Sequence, residues 1–188
     1  MPPDGTDEER TRMTIEAFAD TIVPGAKRSP GDAAIAGVSE GGGAVESGAF
    51  ALLTDPASGF AEALGPLAAM LNGHARTLAE GRGAPPEETL PEFVALPYEE
   101  RAALVLRLTA PDNPERDGWV ALAMFSNMAF DTAAHLHTAD AFAEGHPGLL
   151  TIGYAPADDD GLWRFADYSY GRVLAETHPD TTASGSPA

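Results

Sequence analysis

A chain of 188 residues, 44% of them hydrophobic, is long enough for one domain whose core needs no disulfide or metal to fold. It has no cysteine, which excludes disulfides, thiolate zinc sites, iron–sulfur clusters and cysteine nucleophiles. A formal charge of −18, from 11 basic and 29 acidic residues, repels phosphate backbones and anionic lipid, so neither nucleic acid nor a membrane is an expected partner.

The acidic start, Met1 to Arg10, has no apolar run behind it, and Thr11 separates Arg10 from Arg12. Neither a secretory leader nor a twin-arginine signal is read there, and the expected compartment is the cytoplasm. Met13, Ile15, Phe18, Ala19, Ile22 and Val23 recur at helical spacing and predict a first helix over 7–23, stopped by Pro24-Gly25. Ser29-Pro30-Gly31-Asp32 is a turn expected to start a short helix through Val38, and Gly41-Gly42-Gly43 reads as a flexible break. Further helices are expected over 44–54, over 59–80 with Ser58 as cap, and from Leu96-Pro97 to Leu108, after a Pro/Glu loop at 84–91.

Asn113-Pro114-Glu115 is a helix-start signal, and the helix behind it is expected to run to about Ala143. Asp131 is its only formal charge between Gly118 and Ala139, so this is expected to be the central, buried helix. Its most apolar stretch, Gly118 to Phe130, is shorter than the roughly 20 residues a membrane span needs. Leu149 to Ile152 reads as a short extended piece, 162–175 as a last helix, and 179–188 as a disordered tail. With no repeat and no useful strand alternation, the expected fold is all-α: one helical domain over 1–178, bundle-like around a long central helix, with a loop-rich C-terminal part.

Ala19-Asp20-Thr21-Ile22-Val23-Pro24 closes the first helix, and Pro30-Gly31-Asp32-Ala33-Ala34-Ile35-Ala36-Gly37-Val38 follows it. Over 14–38 the chain resembles the small subunit (subunit 3) of gluconate 2-dehydrogenase, with Asp20, Thr21 and Pro24 as the motif positions. His146-Pro147-Gly148 and Gly153-Tyr154-Ala155-Pro156 extend the likeness, with Ala155 where that family has a proline. The resemblance implies a companion protein that binds a large flavoprotein oxidoreductase subunit of the glucose–methanol–choline type. It places FAD on that large subunit, leaves this chain without a cofactor, and supplies no catalytic residue. The export signal that periplasmic members supply has no counterpart in this sequence.

No phosphate-binding fingerprint, nucleophile elbow or His-Glu-Xaa-Xaa-His metal motif is present. Asn127, Asp131 and His135, at i, i+4 and i+8 of the expected central helix, form one polar row, with Ser126 and His137 on neighbouring faces. A carboxylate-oriented imidazole is a general base, so Asp131, His135 and His137 are the catalytic candidates. The same row also reads as a satisfied polar network, as a partner or ligand contact through Asn127, or as two ligands of a metal site, too few without a third. Trp163, Phe165, Tyr168 and Tyr170 are an aromatic cluster suited to core packing or to docking a partner. Three functions are expected side by side: an accessory subunit of a flavin oxidoreductase, as the resemblance implies, a small stand-alone enzyme of cyclase, isomerase or dehydratase type, or a simple binding or regulatory protein with no oxidoreductase link.

Overall fold

The computed structural model describes residues 5–83 and 89–154. The elements over these residues are all helical. They are α1 (Gly5–Ile22), α2 (Ala49–Thr54), a 3-10 turn (Pro56–Ser58), α3 (Leu64–Glu80), α4 (Glu92–Ala95), α5 (Tyr98–Leu108), α6 (Arg116–Thr132), α7 (Thr138–Ala143) and α8 (Pro147–Thr151). None of these helices is long and apolar enough to cross a membrane.

The apolar spacing of α1 makes it the inner strut. Every residue from Thr14 to Asp20 is buried, because α2, α3, α4, α5 and α6 all pack on it. Ile15 and Phe18 meet Leu71 of α3, Phe93 of α4, Leu104 and Leu108 of α5, and Trp119 and Leu122 of α6 in one apolar cluster. The Phe18 and Trp119 rings lie 6.1 Å apart, within the range of favourable aromatic pairs. The long helix α6 shares the centre with α1, packing on α1, α2, α5 and α8.

Segment 23–48 departs from expectation. No helix forms between Ser29 and Val38. The side chain of Asp32 accepts from the Ala34 and Ile35 amides at 3.2 and 3.3 Å, and Asp20 Oδ2 takes the Ala36 amide at 2.8 Å. These carboxylates claim donors that a helix would use for its own ladder. Gly41-Gly42-Gly43 is a tether rather than a flexible break. Ala26 N bonds Gly41 O at 2.8 Å and Ala44 N bonds Val23 O at 2.9 Å. A Cβ on Gly43 would lie 2.5 Å from the Val23 carbonyl oxygen, so only glycine lets the two backbones meet.

Several boundaries move for local reasons. The helix expected over 44–54 begins at Ala49, after Gly48 in the left-handed region at φ 87. Ser58 caps a turn instead of α3, its Oγ accepting from Phe60 N at 3.1 Å. Pro97 sits just outside α5 rather than in its first turn.

The largest correction concerns the central helix. It ends at Thr132, not near Ala143, and Ala133 turns left-handed at φ 49. No glycine or proline forces this end. Tertiary packing does: a Cβ on Gly148 of α8 would lie 1.9 Å from the Phe130 carbonyl oxygen, so α8 seats directly on the last turns of α6. Ala133, Ala141 and Leu149 close a small apolar cluster of their own beneath the turn. Residues 149–152, expected to be extended, belong mostly to α8. Pro147 occupies its first turn and His146 Nδ1 accepts from Leu149 N at 3.3 Å, which are helix-start devices. The expected helix over 162–175, the aromatic cluster Trp163, Phe165, Tyr168 and Tyr170, and the tail over 179–188 lie outside the described residues.

Candidate functional site

Because α6 stops at Thr132, the polar row predicted along it divides. Asn127 and Asp131 remain one turn apart, and Asn127 Nδ2 donates to Asp131 Oδ2 at 2.7 Å. Ser126 is buried and spends its hydroxyl on the Leu122 carbonyl at 2.8 Å. His137 is exposed and caps α7, accepting from Ala139 N at 3.3 Å. His135 falls in the turn beyond the helix. Its Nδ1 and the Oδ1 of Asp131 are each buried without a hydrogen-bond partner, so the two groups are not bonded to each other.

His135 instead faces the start of α2. A Cβ on Gly48 would lie 2.2 Å from its Nε2, and its ring centroid is 6.1 Å from that of His146. His146 is buried, with Nε2 donating to the Ser47 carbonyl at 3.1 Å while Nδ1 serves the Leu149 amide. One ring therefore fastens the 44–48 turn to α8. Burial, and after it the charge that His146 can carry, lower the His135 pKa below its ordinary 6.5. The folded protein then binds fewer protons than the unfolded chain in this window. The stability contributed by neutral His135 is whole above 6.5 and is lost as pH falls through the lower, folded value. Taking the protein from about pH 7.5 to about pH 5 should lower the Tm of the wild type more than that of His135→Gln. Equal losses would show that His135 carries no part of the acid sensitivity.

Beside Asn127 and Asp131 lies an apolar groove of about 630 Å³ between α5 and α6, floored by Ile22, Val105 and Met128. Leu106 and Met124 stand on it 72% and 58% exposed. The helix expected to be buried on all sides thus shows an apolar side to solvent.

The motif string Asp20, Thr21 and Pro24 is architecture. Asp20 is 1% exposed, and its Oδ1 accepts from Gly25 N at 3.0 Å. Thr21 is buried and donates to Ala17 O at 2.7 Å. Arg101, 4% exposed, reaches from α5 to the same segment. It donates to Leu96 O at 2.9 Å, Ala34 O at 2.7 Å, Ala33 O at 3.1 Å and Val94 O at 2.5 Å. Burial pushes the Asp20 carboxyl up, against the two amide bonds and the nearby Arg101 charge. Burial likewise pushes the guanidinium down, with Asp20 opposing.

A second cleft, of about 430 Å³, opens between the C-terminal halves of α3 and α5. His74 lines it, and His74 Nε2 lies 2.8 Å from Glu115 Oε2. Trp119, buried beneath, donates its indole N–H to the same oxygen at 3.1 Å. These two bonds, His74 first, hold the Glu115 carboxyl below its usual range. An ionised carboxylate only accepts, so Nε2 carries a proton, and in the neutral ring Nδ1 then keeps its lone pair. Asn113 braces the arrangement, taking Glu115 N at 2.7 Å and donating to Arg107 O at 3.3 Å. Among the described residues no group of three or more His, Asp or Glu side chains is placed to hold a metal ion.

A family model for proteins of unknown function, DUF5987, matches residues 9–188. The chain belongs to that family. No curated protein and no solved structure matches it. The DUF5987 match takes in the Asp20 motif, the α5–α6 groove and the His74 cleft together. Two of the features within it escape sequence reasoning. His74 and Glu115 are 41 residues apart, with no spacing pattern to join them, and Arg101 lies among exposed-looking neighbours in a helix start. The one usable signal was Trp119, a ring with a single donor placed one helical turn after Glu115.

Proposed function

We propose that this DUF5987 member is a non-catalytic accessory subunit that binds and stabilises a large flavin-dependent oxidoreductase subunit of the glucose–methanol–choline type. FAD belongs to that large subunit. The observation that carries the reading is the α5–α6 groove: two large apolar side chains, Leu106 and Met124, stand exposed on an apolar floor in a protein of charge −18. Exposed contiguous apolar surface of this kind marks interaction sites. The sequence likeness over 14–38 supplies the class of partner, and the buried bonds of Asp20 and Thr21 explain why that string matters to folding rather than to contact. The competing reading, a stand-alone enzyme working through Asp131 and His135, needs a contact that these two side chains do not make.

Co-expression with its cognate large flavoprotein subunit should raise the soluble yield of that subunit. Leu106→Glu and Met124→Glu should each weaken the complex by about tenfold or more, as central interface anchors do, while leaving the Tm of the isolated chain nearly unchanged. The purified chain alone should be colourless. Stoichiometric flavin bound to it, or full complex formation by both variants, would overturn the proposal.

A further inference from the structure

We propose that the α3–α5 cleft binds a short-chain hydroxy carboxylic acid, with Arg107 taking the carboxylate and His74 the hydroxyl. The inference does not depend on the accessory-subunit reading. The Glu115 carboxylate accepts the Nε2 proton of His74 in a hydrogen bond of 2.8 Å, so the neutral ring is held in the tautomer whose Nδ1 offers a lone pair to a ligand donor. Glu115 is itself held by the Trp119 indole and by Asn113 through its amide, so the imidazole is aimed before anything binds. Side-chain exposures of 35% for His74 and 36% for Glu115 leave the pair open to the cleft.

Two arginines line the same space, and they differ. Arg82 is bound to Glu100 through both terminal nitrogens. Arg107 makes no ion pair and no side-chain hydrogen bond among the described residues. An unengaged guanidinium in a protein with 29 acidic and 11 basic residues is a fork ready for a carboxylate. Leu78, Leu104 and Leu108 give the same cleft its apolar lining. At about 430 Å³ the cleft lies in the lower part of the size range of small-molecule sites, which limits the ligand to a short skeleton. A lone pair, a cation and an alkyl lining in one cleft match a hydroxyl, a carboxylate and a branched or straight alkyl chain on one small molecule.

The test is a nuclear magnetic resonance titration of the full chain with three probes: 2-hydroxy-4-methylpentanoate, 4-methylpentanoate and 2-hydroxy-4-methylpentanamide. The hydroxy acid should shift the His74 ring and Leu104 and Leu108 methyl resonances saturably. Each comparator should bind about tenfold more weakly, the loss expected for one hydrogen bond to a charged or preorganised group. His74→Ala should erase the preference for the hydroxy acid over 4-methylpentanoate and keep its preference over the amide. Arg107→Ala should do the reverse. Glu115→Gln, which keeps the shape at position 115 but frees the tautomer, should weaken only the hydroxyl preference. Equal affinities for the three probes, preferences unmoved by these variants, or shifts confined to residues outside the cleft would overturn the assignment.

Discussion

Arg101→Leu is expected to lower the unfolding free energy by about 3–5 kcal/mol, the range for breaking a buried charged network by removing one partner. The guanidinium supplies donors to four backbone carbonyls, at Ala33, Ala34, Val94 and Leu96. Leucine supplies none, and the bonds to Ala34, Val94 and Leu96 lie in the buried interior, where those carbonyls find no replacement donor. The substitution also leaves the Asp20 carboxylate without its nearby positive charge, at a residue 1% exposed. Urea unfolding followed by circular dichroism reads the loss directly. Arg101→Lys should recover little, because one ammonium group cannot replace a fork that spans two chain segments. A loss below about 1 kcal/mol for Arg101→Leu would show that the 33–36 segment finds other donors.

Gly148→Ala is the second large effect. The added methyl would have to occupy a point 1.9 Å from the Phe130 carbonyl oxygen and 2.7 Å from its carbon. Both atoms are helix backbone and do not step aside as a side-chain tip would. Overpacking of this kind costs about 1–3 kcal/mol or more, and α8 has the cheaper option of leaving α6. Undocking would also break the bond from His146 to the Ser47 carbonyl. Hydrogen exchange should therefore speed up at the amides of Leu149 and Leu150 and through the 44–49 turn, while α3 and α5 keep their protection. Uniform acceleration across all helices would mean that the junction is not a separate unit.

The parts of the fold that were legible in the sequence are those whose causes are local. The spacing of Ile15, Phe18, Ala19 and Ile22 and the stop at Pro24 place α1 within two residues of its observed ends. Gly81 and the acid-first, arginine-late order of α5 mark real boundaries as well. Failures arise where a distant group decides. Nothing near Ala133 says that α6 ends there, because the cause, Gly148, lies 15 residues on and acts through space. Nothing near Ser29 says that its segment will not coil, because Asp20 takes the Ala36 amide across 16 residues. The polar row of Asn127, Asp131 and His135 was read from helical periodicity, and it survives as far as the helix does. The His74 cleft was invisible for the opposite reason: its parts come from α3, α5 and the start of α6, and none forms a pattern with its sequence neighbours.

The tether between residues 23 and 48 also sets the order in which the chain can fold. Besides its local bonds to Asp20, Asp32 and Val23, it has fixed points far downstream: Ala34 is held by Arg101 across 67 residues, and Ser47 by His146 across 99. Closing loops of that length costs entropy before any contact returns it, so contacts of this kind form late. During synthesis the first quarter of the chain emerges long before its partners exist. Helix α1 packs on α2, α3 and α4 but also needs α5 and α6, so Ile15 and Phe18 stay only partly covered until Trp119 and Leu122 have left the ribosome. The interval in which α1 is incompletely covered is when the nascent chain is most open to aggregation or to capture by a chaperone.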